Sequence, residues 1–152
     1  MSEVIVLDSH LWLWLINGNF DRFPAHWMSM FEETPHLGVS PVSCYEISLA
    51  HSRGRIKLPG TAKEWFDEAL ESAGIELFPL TVEISVRAVA LSPVHRDPFD
   101  RLIMATTLVN GGRLASVDSL IRQYPEMSES LIPQRLESEA NQGEDAKGGA
   151  TD

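Results

Sequence analysis

Apolar residues fall in short blocks separated by turn-forming residues. The first block, Val4-Ile5-Val6-Leu7, is continuous, rich in β-branched side chains and closed by Asp8-Ser9. That is the character of a strand covered on both faces in a parallel sheet. Leu11 to Ile16 (LWLWLI) is apolar nearly all round and predicts a short helix ended by Asn17-Gly18-Asn19. A second helical stretch is expected over 21–33 and a short strand at Leu37-Gly38-Val39. Ser40-Pro41 reads as an N-cap followed by proline at the first helical position, opening a helix through Glu46 to about Arg53, before Gly54. Thr61 and Glu64 have the spacing of a capping box, so an amphipathic helix runs to about Ser72 and ends at Gly74.

The second half repeats the alternation. Ile75 to Leu80 predicts a strand, Thr81 to Leu91 a helix, and Asp97-Pro98 the start of a helix that stops at Gly111-Gly112. Arg113 to Val117 predicts a strand, Ser119 to Tyr124 a short helix, and Leu131-Ile132-Pro133 an edge strand. Strands alternating with helices imply an α/β fold with a parallel sheet between helical layers.

Charge changes the picture in two steps. The 152 residues hold 22 acids against 12 Lys and Arg, a net charge of −10. A domain that grips nucleic acid through counterion release is normally basic, so this balance argues against that class. The acids are unevenly spread, however. Residues 136–152 carry five acids, one Lys and no aromatic residue, the composition of a solvated, disordered tail, leaving net −6 in a single domain at 1–135. One cysteine, Cys44, excludes a disulfide framework and is read as a packing residue. Glu3, Asp8 and His10 interrupt any export signal, and no stretch nears the roughly 20 apolar residues of a membrane span. A soluble cytoplasmic protein is expected.

Several acids fall where open parallel sheets bind ligands, beyond the carboxyl ends of the strands. Asp8 follows the first strand and Asp118 the strand at 113–117, while Asp100 lies in the first turn after Pro98. Glu46 lies about two turns into the helix after Ser40, on a face shared with Val42 and Ala50, where an acid needs a partner. Each also has a structural reading. Asp8, Asp97 and Asp118 suit helix caps, and Asp100 suits the positive end of a helix dipole on a face continuing through Ile103, Met104 and Thr107. If strand order brings them together, the carboxylates form an all-oxygen site suited to Mg²⁺ or Mn²⁺.

With VIVLDSH at 4–10, VSCYEISL at 42–49, GRIKLP at 54–59, HRDPFDRLIMA at 95–105 and ASVDSLIRQYP at 115–125, the chain resembles the PIN-domain ribonucleases, and within them the VapC-type toxins of toxin–antitoxin pairs. The resemblance implies a three-layer α/β/α sandwich and a metal-dependent endoribonuclease. By position it implies Asp8, Glu46, Asp100 and Asp118 as catalytic acids and Asp8, Asp100 and Asp118 as metal ligands, with Asp97 and Ser116 auxiliary. Such a site hydrolyses a phosphodiester with an activated water, so its products carry 5′-phosphate and 3′-hydroxyl ends. An RNA substrate, a cognate antitoxin, and a homodimer or a heteromer with that antitoxin are the implied partners.

Other polar groups add less. Arg53, Arg55 and Lys57, with Arg96 and Arg101, form a small basic set able to meet RNA phosphates, with Arg53, Arg55, Arg96 and Arg101 as the candidate contacts. The five histidines show no metal-ligand spacing. Trp12, Trp14, Trp27 and Trp65 are expected in the core, with part of LWLWLI left to face a partner. Two other classes compete. A receiver-like signalling module needs a lysine after a late strand, which the three lysines do not supply, and a non-catalytic PIN-type module would bind RNA without cutting it. A hydrolase with an aspartate nucleophile lacks the second Asp two residues after Asp8.

Overall fold

The computed structural model describes residues 3–135; the expected tail at 136–152 lies outside the described residues. Four strands, β1 (Val4–Leu7), β2 (His36–Val39), β3 (Glu76–Leu77) and β4 (Arg113–Ala115), form one sheet in the order β3-β2-β1-β4. All pairings are parallel: Ile5 aligns with Leu37 and Arg113, and Gly38 with Glu76. Six helices surround it: α1 (Ser9–Asn17), α2 (Trp27–Glu33), α3 (Pro41–Ser52), α4 (Ala62–Asp67), α5 (Val82–Ala90) and α6 (Pro98–Val109).

The alternation of side chains along β1 shows the layering. Ile5 and Leu7 enter a core built with Leu11, Trp12, Trp27 and Trp65, whereas Val6 enters another built with Ile103, Met104, Leu114 and Tyr124. β4 divides in the same way, with Ala115 on one side and Leu114 on the other. A strand that feeds two apolar clusters is buried on both faces, which is why its sequence shows no polar alternation. The result is the three-layer α/β/α sandwich.

The local start and stop signals operate as expected. Ser40 caps α3 by accepting from the Val42 N–H, Pro41 opens that helix, and Thr61 with Glu64 makes a reciprocal capping box. Gly18 closes α1 with a left-handed φ of 75°, allowing its N–H to reach the Trp14 carbonyl. The indole N–H groups of Trp12, Trp27 and Trp65 are satisfied by Ala69 O, Pro133 O and Asn17 Oδ1 at 2.9–3.0 Å, so these rings can be fully buried. Trp14 is only partly buried, as are Leu13, Leu15 and Ile16, so LWLWLI keeps an incompletely covered side.

Five expectations are corrected. The helix expected over 21–33 is broken: Phe20–Arg22 is a 3₁₀ turn, and Phe23 is extended before Pro24, whose ring disfavours helix at the preceding residue. The strand expected over 75–80 shrinks to Glu76–Leu77, because the Ile75 N–H still serves the preceding helix at Leu70 O, while Pro79 has no N–H to extend the ladder. α4 widens into a π-helical segment at Glu68–Ser72, where Trp12 donates to Ala69 O. The expected helix over 119–124 is a 3₁₀ turn at Ile121–Gln123. The expected edge strand reduces to one parallel bridge, Leu131 beside Leu114, with hydrogen bonds of 2.8 and 3.0 Å on either side of Leu114.

Among the described residues no helix is long and apolar enough to cross a membrane.

Gly38 marks a close approach that its neighbours make intolerant of a side chain. A Cβ there would stand 2.6 Å from both Glu76 O and the Phe78 ring, across the β2–β3 pairing. Gly38→Ala is expected to lower stability by about 1–3 kcal/mol, read as a fall in melting temperature; an unchanged melting curve would show that β3 gives way without cost.

Candidate active site

The order β3-β2-β1-β4 creates a switch point: the chain leaves β1 toward β2 on one side and later returns to β4 on the other. Crevices of this kind open at the carboxyl ends of the two diverging strands. Asp8 stands at the end of β1, and its backbone N–H donates to Ala115 O at the end of β4, 3.2 Å away. Asp118 follows β4 by three residues, Glu46 comes from α3, and Asp100 from the first turn of α6.

Asp8, Glu46, Asp97 and Asp118 are each oriented by a hydrogen bond. Asp8 Oδ1 accepts from the Leu11 N–H at 2.8 Å, so the residue caps α1, and its carboxyl group also bonds to the Ser116 side chain. Ser116 accepts the Asp118 N–H at 3.1 Å, which ties the two acids to one hydroxyl. Asp118 in turn accepts from the Leu120 N–H at 2.9 Å. Asp97 caps α6 through the Phe99 N–H at 3.0 Å. Asp8, Asp97 and Asp118 thus each spend a carboxylate oxygen on a backbone N–H, as their reading as caps expects.

Glu46 finds the partner that its apolar face requires. Ser9 Oγ stands 2.8 Å from both Glu46 Oε1 and Ser43 Oγ, a buried hydroxyl pair joining α1 to α3. Sequence reasoning missed Ser9 and Ser43. Ser43 lies three residues before Glu46, one turn below it on the helix, a signal open to a capping reading.

The electrostatics show that the acids sense one another. Burial raises the Asp8 pKa, with the Asp118 charge adding to it, while the Ser116 and Leu11 hydrogen bonds oppose it. Burial also raises that of Glu46, against the Ser9 hydrogen bond and reinforced by Asp97 and Asp8. Asp100 is pushed up to about 7, by burial first and then by the charges of Asp97, Glu46, Asp118 and Asp8. All five acids therefore share one electrostatic neighbourhood. Among the described residues the only ion pairs are His36 with Glu76 and His95 with Asp100, so no Lys or Arg neutralises this cluster.

The donor set is all oxygen, as a hard divalent cation requires. As placed, no three His, Cys, Asp or Glu side chains among the described residues are gathered closely enough to enclose an ion together.

The basic candidates divide. Arg53 and Arg55 line a groove of about 460 Å³ together with Ser9, Glu46 and Phe99, and Arg96 is exposed beside the first turn of α6. Arg101 is engaged otherwise: its guanidinium donates to the carbonyls of Val89, Leu91, Ser92 and His95 and to the Tyr124 hydroxyl at 2.7–3.3 Å, and lies over the Tyr124 ring. Those bonds fasten the 89–95 segment to α6 and consume the donors that a phosphate contact would use, which corrects its reading as an RNA contact. His95, also set aside in the sequence, lies with Nε2 buried 3.7 Å from Asp100 Oδ2 and without a hydrogen-bond partner. Burial pushes the Cys44 thiol up, consistent with a packing role.

Known proteins resemble the chain in sequence and in fold. Residues 5–127 match the PIN domain family. Ribonuclease VapC22 of Mycobacterium tuberculosis is 29% identical over 121 residues, covering 79% of this chain and 91% of that protein. The crystal structure of VapBC2 from Rickettsia felis, bound to a DNA fragment from their promoter, superposes with a TM-score of 0.64 at 13% identity, over 85% of this chain and 97% of that one.

The crowding has a measurable cost. Asp100 ionises near 3.9 when unfolded but at about 7 in the folded chain. The folded state thus holds the extra proton between these values, and stability falls as pH rises through that window. In chelator, Asp100→Asn is expected to stabilise the protein at pH 8 by about 2 kcal/mol, or roughly 4–8 °C. The gain should shrink to nothing as pH is lowered toward 4. A gap that stays constant with pH would show that Asp100 is not under this electrostatic load.

Proposed function

The chain belongs to the PIN-domain family, and from that premise we propose that it is a metal-dependent endoribonuclease, the toxin of a toxin–antitoxin pair. The observation that carries the reading is the convergence of Asp8, Glu46, Asp100 and Asp118, with Asp97, in one electrostatic neighbourhood where, among the described residues, no Lys or Arg forms an ion pair with them. An assembly of half-buried carboxylates that raise one another's pKa is costly unless a cation relieves it. Family membership also sets aside the receiver-like alternative.

Asp8 and Asp100 are assigned as direct ligands of Mg²⁺ or Mn²⁺, and Asp118 as a ligand of a second ion or through water. A divalent ion at this site supplies charge neutralisation for the phosphate and a more acidic water. Glu46 orients and deprotonates the attacking water. Its upward shift moves it toward the range where a general base works best, and the Ser9 hydroxyl holds its carboxylate in place. Asp97 and Ser116 act one step back, by fixing the α6 terminus and by bridging Asp8 to Asp118. Arg53, Arg55 and Arg96 meet phosphates outside the acidic centre.

The relatives support the partner as well. VapC22 is named a ribonuclease, and the VapBC2 structure is named as a complex on promoter DNA, so an antitoxin that covers this chain is part of the proposal. The net charge of −10 ceases to argue against RNA, because five of its acids sit where a bound cation reverses the local sign.

Purified protein is expected to cut RNA in Mg²⁺ or Mn²⁺, leaving 5′-phosphate and 3′-hydroxyl ends, and to lose activity by on the order of a hundredfold or more in Asp8→Ala and in Asp100→Asn. Cleavage that survives a chelator, or that persists in both variants, would overturn the proposal; RNA bound but left intact would favour a non-catalytic binding module.

A further inference from the structure

Resting on the nuclease reading, we propose that Tyr45, backed by Phe99, is a stacking surface for an unpaired base of the RNA beside the bond that is cut. Two large aromatic side chains are exposed among the described residues, Phe20 at 50% and Tyr45 at 57%, and Tyr45 alone adjoins the acids. It directly precedes Glu46 on α3, while Phe99 directly precedes Asp100 on α6. The two rings meet with centroids 5.4 Å apart and planes inclined by 40°, so they join the helices that deliver two of the carboxylates. Phe99 is partly buried by this contact, and Tyr45 is left with more than half of its surface in solvent.

The surroundings choose the occupant. Phe99 forms part of the groove that also contains Glu46, Arg53 and Arg55. An aromatic pair at the edge of a groove that holds a carboxylate and two guanidinium groups offers what a single strand presents, a base for the ring and phosphates for the arginines. An apolar peptide segment would use the rings but would bring no group for Arg53 and Arg55. Stacking also explains how an acidic chain holds RNA, since the π-face supplies affinity that does not depend on positive charge.

The test uses the full-length protein, Mg²⁺ and a short single-stranded RNA that it cleaves. Tyr45→Ala is expected to raise KM about tenfold, within the range of one lost base stack, with kcat changed little. Tyr45→Phe and Tyr45→Trp should retain wild-type KM, because the ring and not the hydroxyl does the binding. An abasic nucleotide placed next to the cut site should impose the same KM penalty on wild type and none further on Tyr45→Ala. The exposure of Tyr45 predicts an unchanged melting temperature in all three variants. Unchanged KM in Tyr45→Ala, failure of Phe and Trp to substitute, or additive losses from the abasic RNA and the variant would each overturn the stacking site while leaving the nuclease reading intact. Wild-type protein that cuts no RNA would overturn the nuclease reading and this inference with it.

Discussion

Mutual repulsion among carboxylates held half out of water is the constraint around which this molecule is built. Asp8, Glu46, Asp97 and Asp118 each raise the pKa of at least one other acid, Asp100 is raised by all four, and no Lys or Arg among the described residues forms an ion pair with them. All but Asp100 are held by neutral donors instead: the N–H groups of Leu11, Phe99 and Leu120 and the hydroxyls of Ser9 and Ser116. Backbone and hydroxyl donors orient a carboxylate without neutralising it, so the cluster retains its negative field. A lysine or arginine in their place would relieve the repulsion and stabilise the fold. The instability implied by the high Asp100 pKa follows from that choice.

The segment His95 to Ile103 shows how closely structural and chemical duties alternate along one helix start. Asp97 caps α6, Pro98 occupies its first position, Phe99 contacts Tyr45, Asp100 points its charge into the acidic cluster, and Ile103 is buried in the core. Arg101, beside the most perturbed acid, has its donors committed to four carbonyls and a tyrosine hydroxyl. This arrangement keeps a cation one residue from Asp100 without forming an ion pair with it. The guanidinium instead braces the preceding segment, including His95, whose ring packs near the Asp100 carboxyl. The density of the motif reflects several constraints superposed on one turn.

Sheet order converts these local devices into a site. β1 is central, with β2 on one side and β4 on the other, so Asp8 and the β4 terminus meet directly through the Asp8 N–H and Ala115 O. Burial of β1 on both faces then fixes its register, because Ile5 and Leu7 fill one core and Val6 the other. A slip by one residue would exchange the two sets and carry Asp8 out of the crevice. The position of the first acid is thus enforced by apolar packing that has no chemical role of its own.

What the sequence by itself determined is local in origin. The Ser40-Pro41 start, the Thr61–Glu64 capping box, the glycine that ends α1 and the aspartates at strand ends all depend on neighbours a few residues apart, where propensity and capping act. The pattern of motifs around those aspartates also carried the family, and with it the expected three layers. What only the tertiary structure decided involves partners far apart in the chain: Ser9 with Glu46, Asp8 with Ser116, Tyr45 with Phe99, and Arg101 spent on carbonyls. It also settled where secondary structure yields to other demands, as in the broken stretch before α2 and the two-residue β3. The physical reason is that burial and carboxylate repulsion depend on distance in space, and the order of strands in the sheet sets that distance.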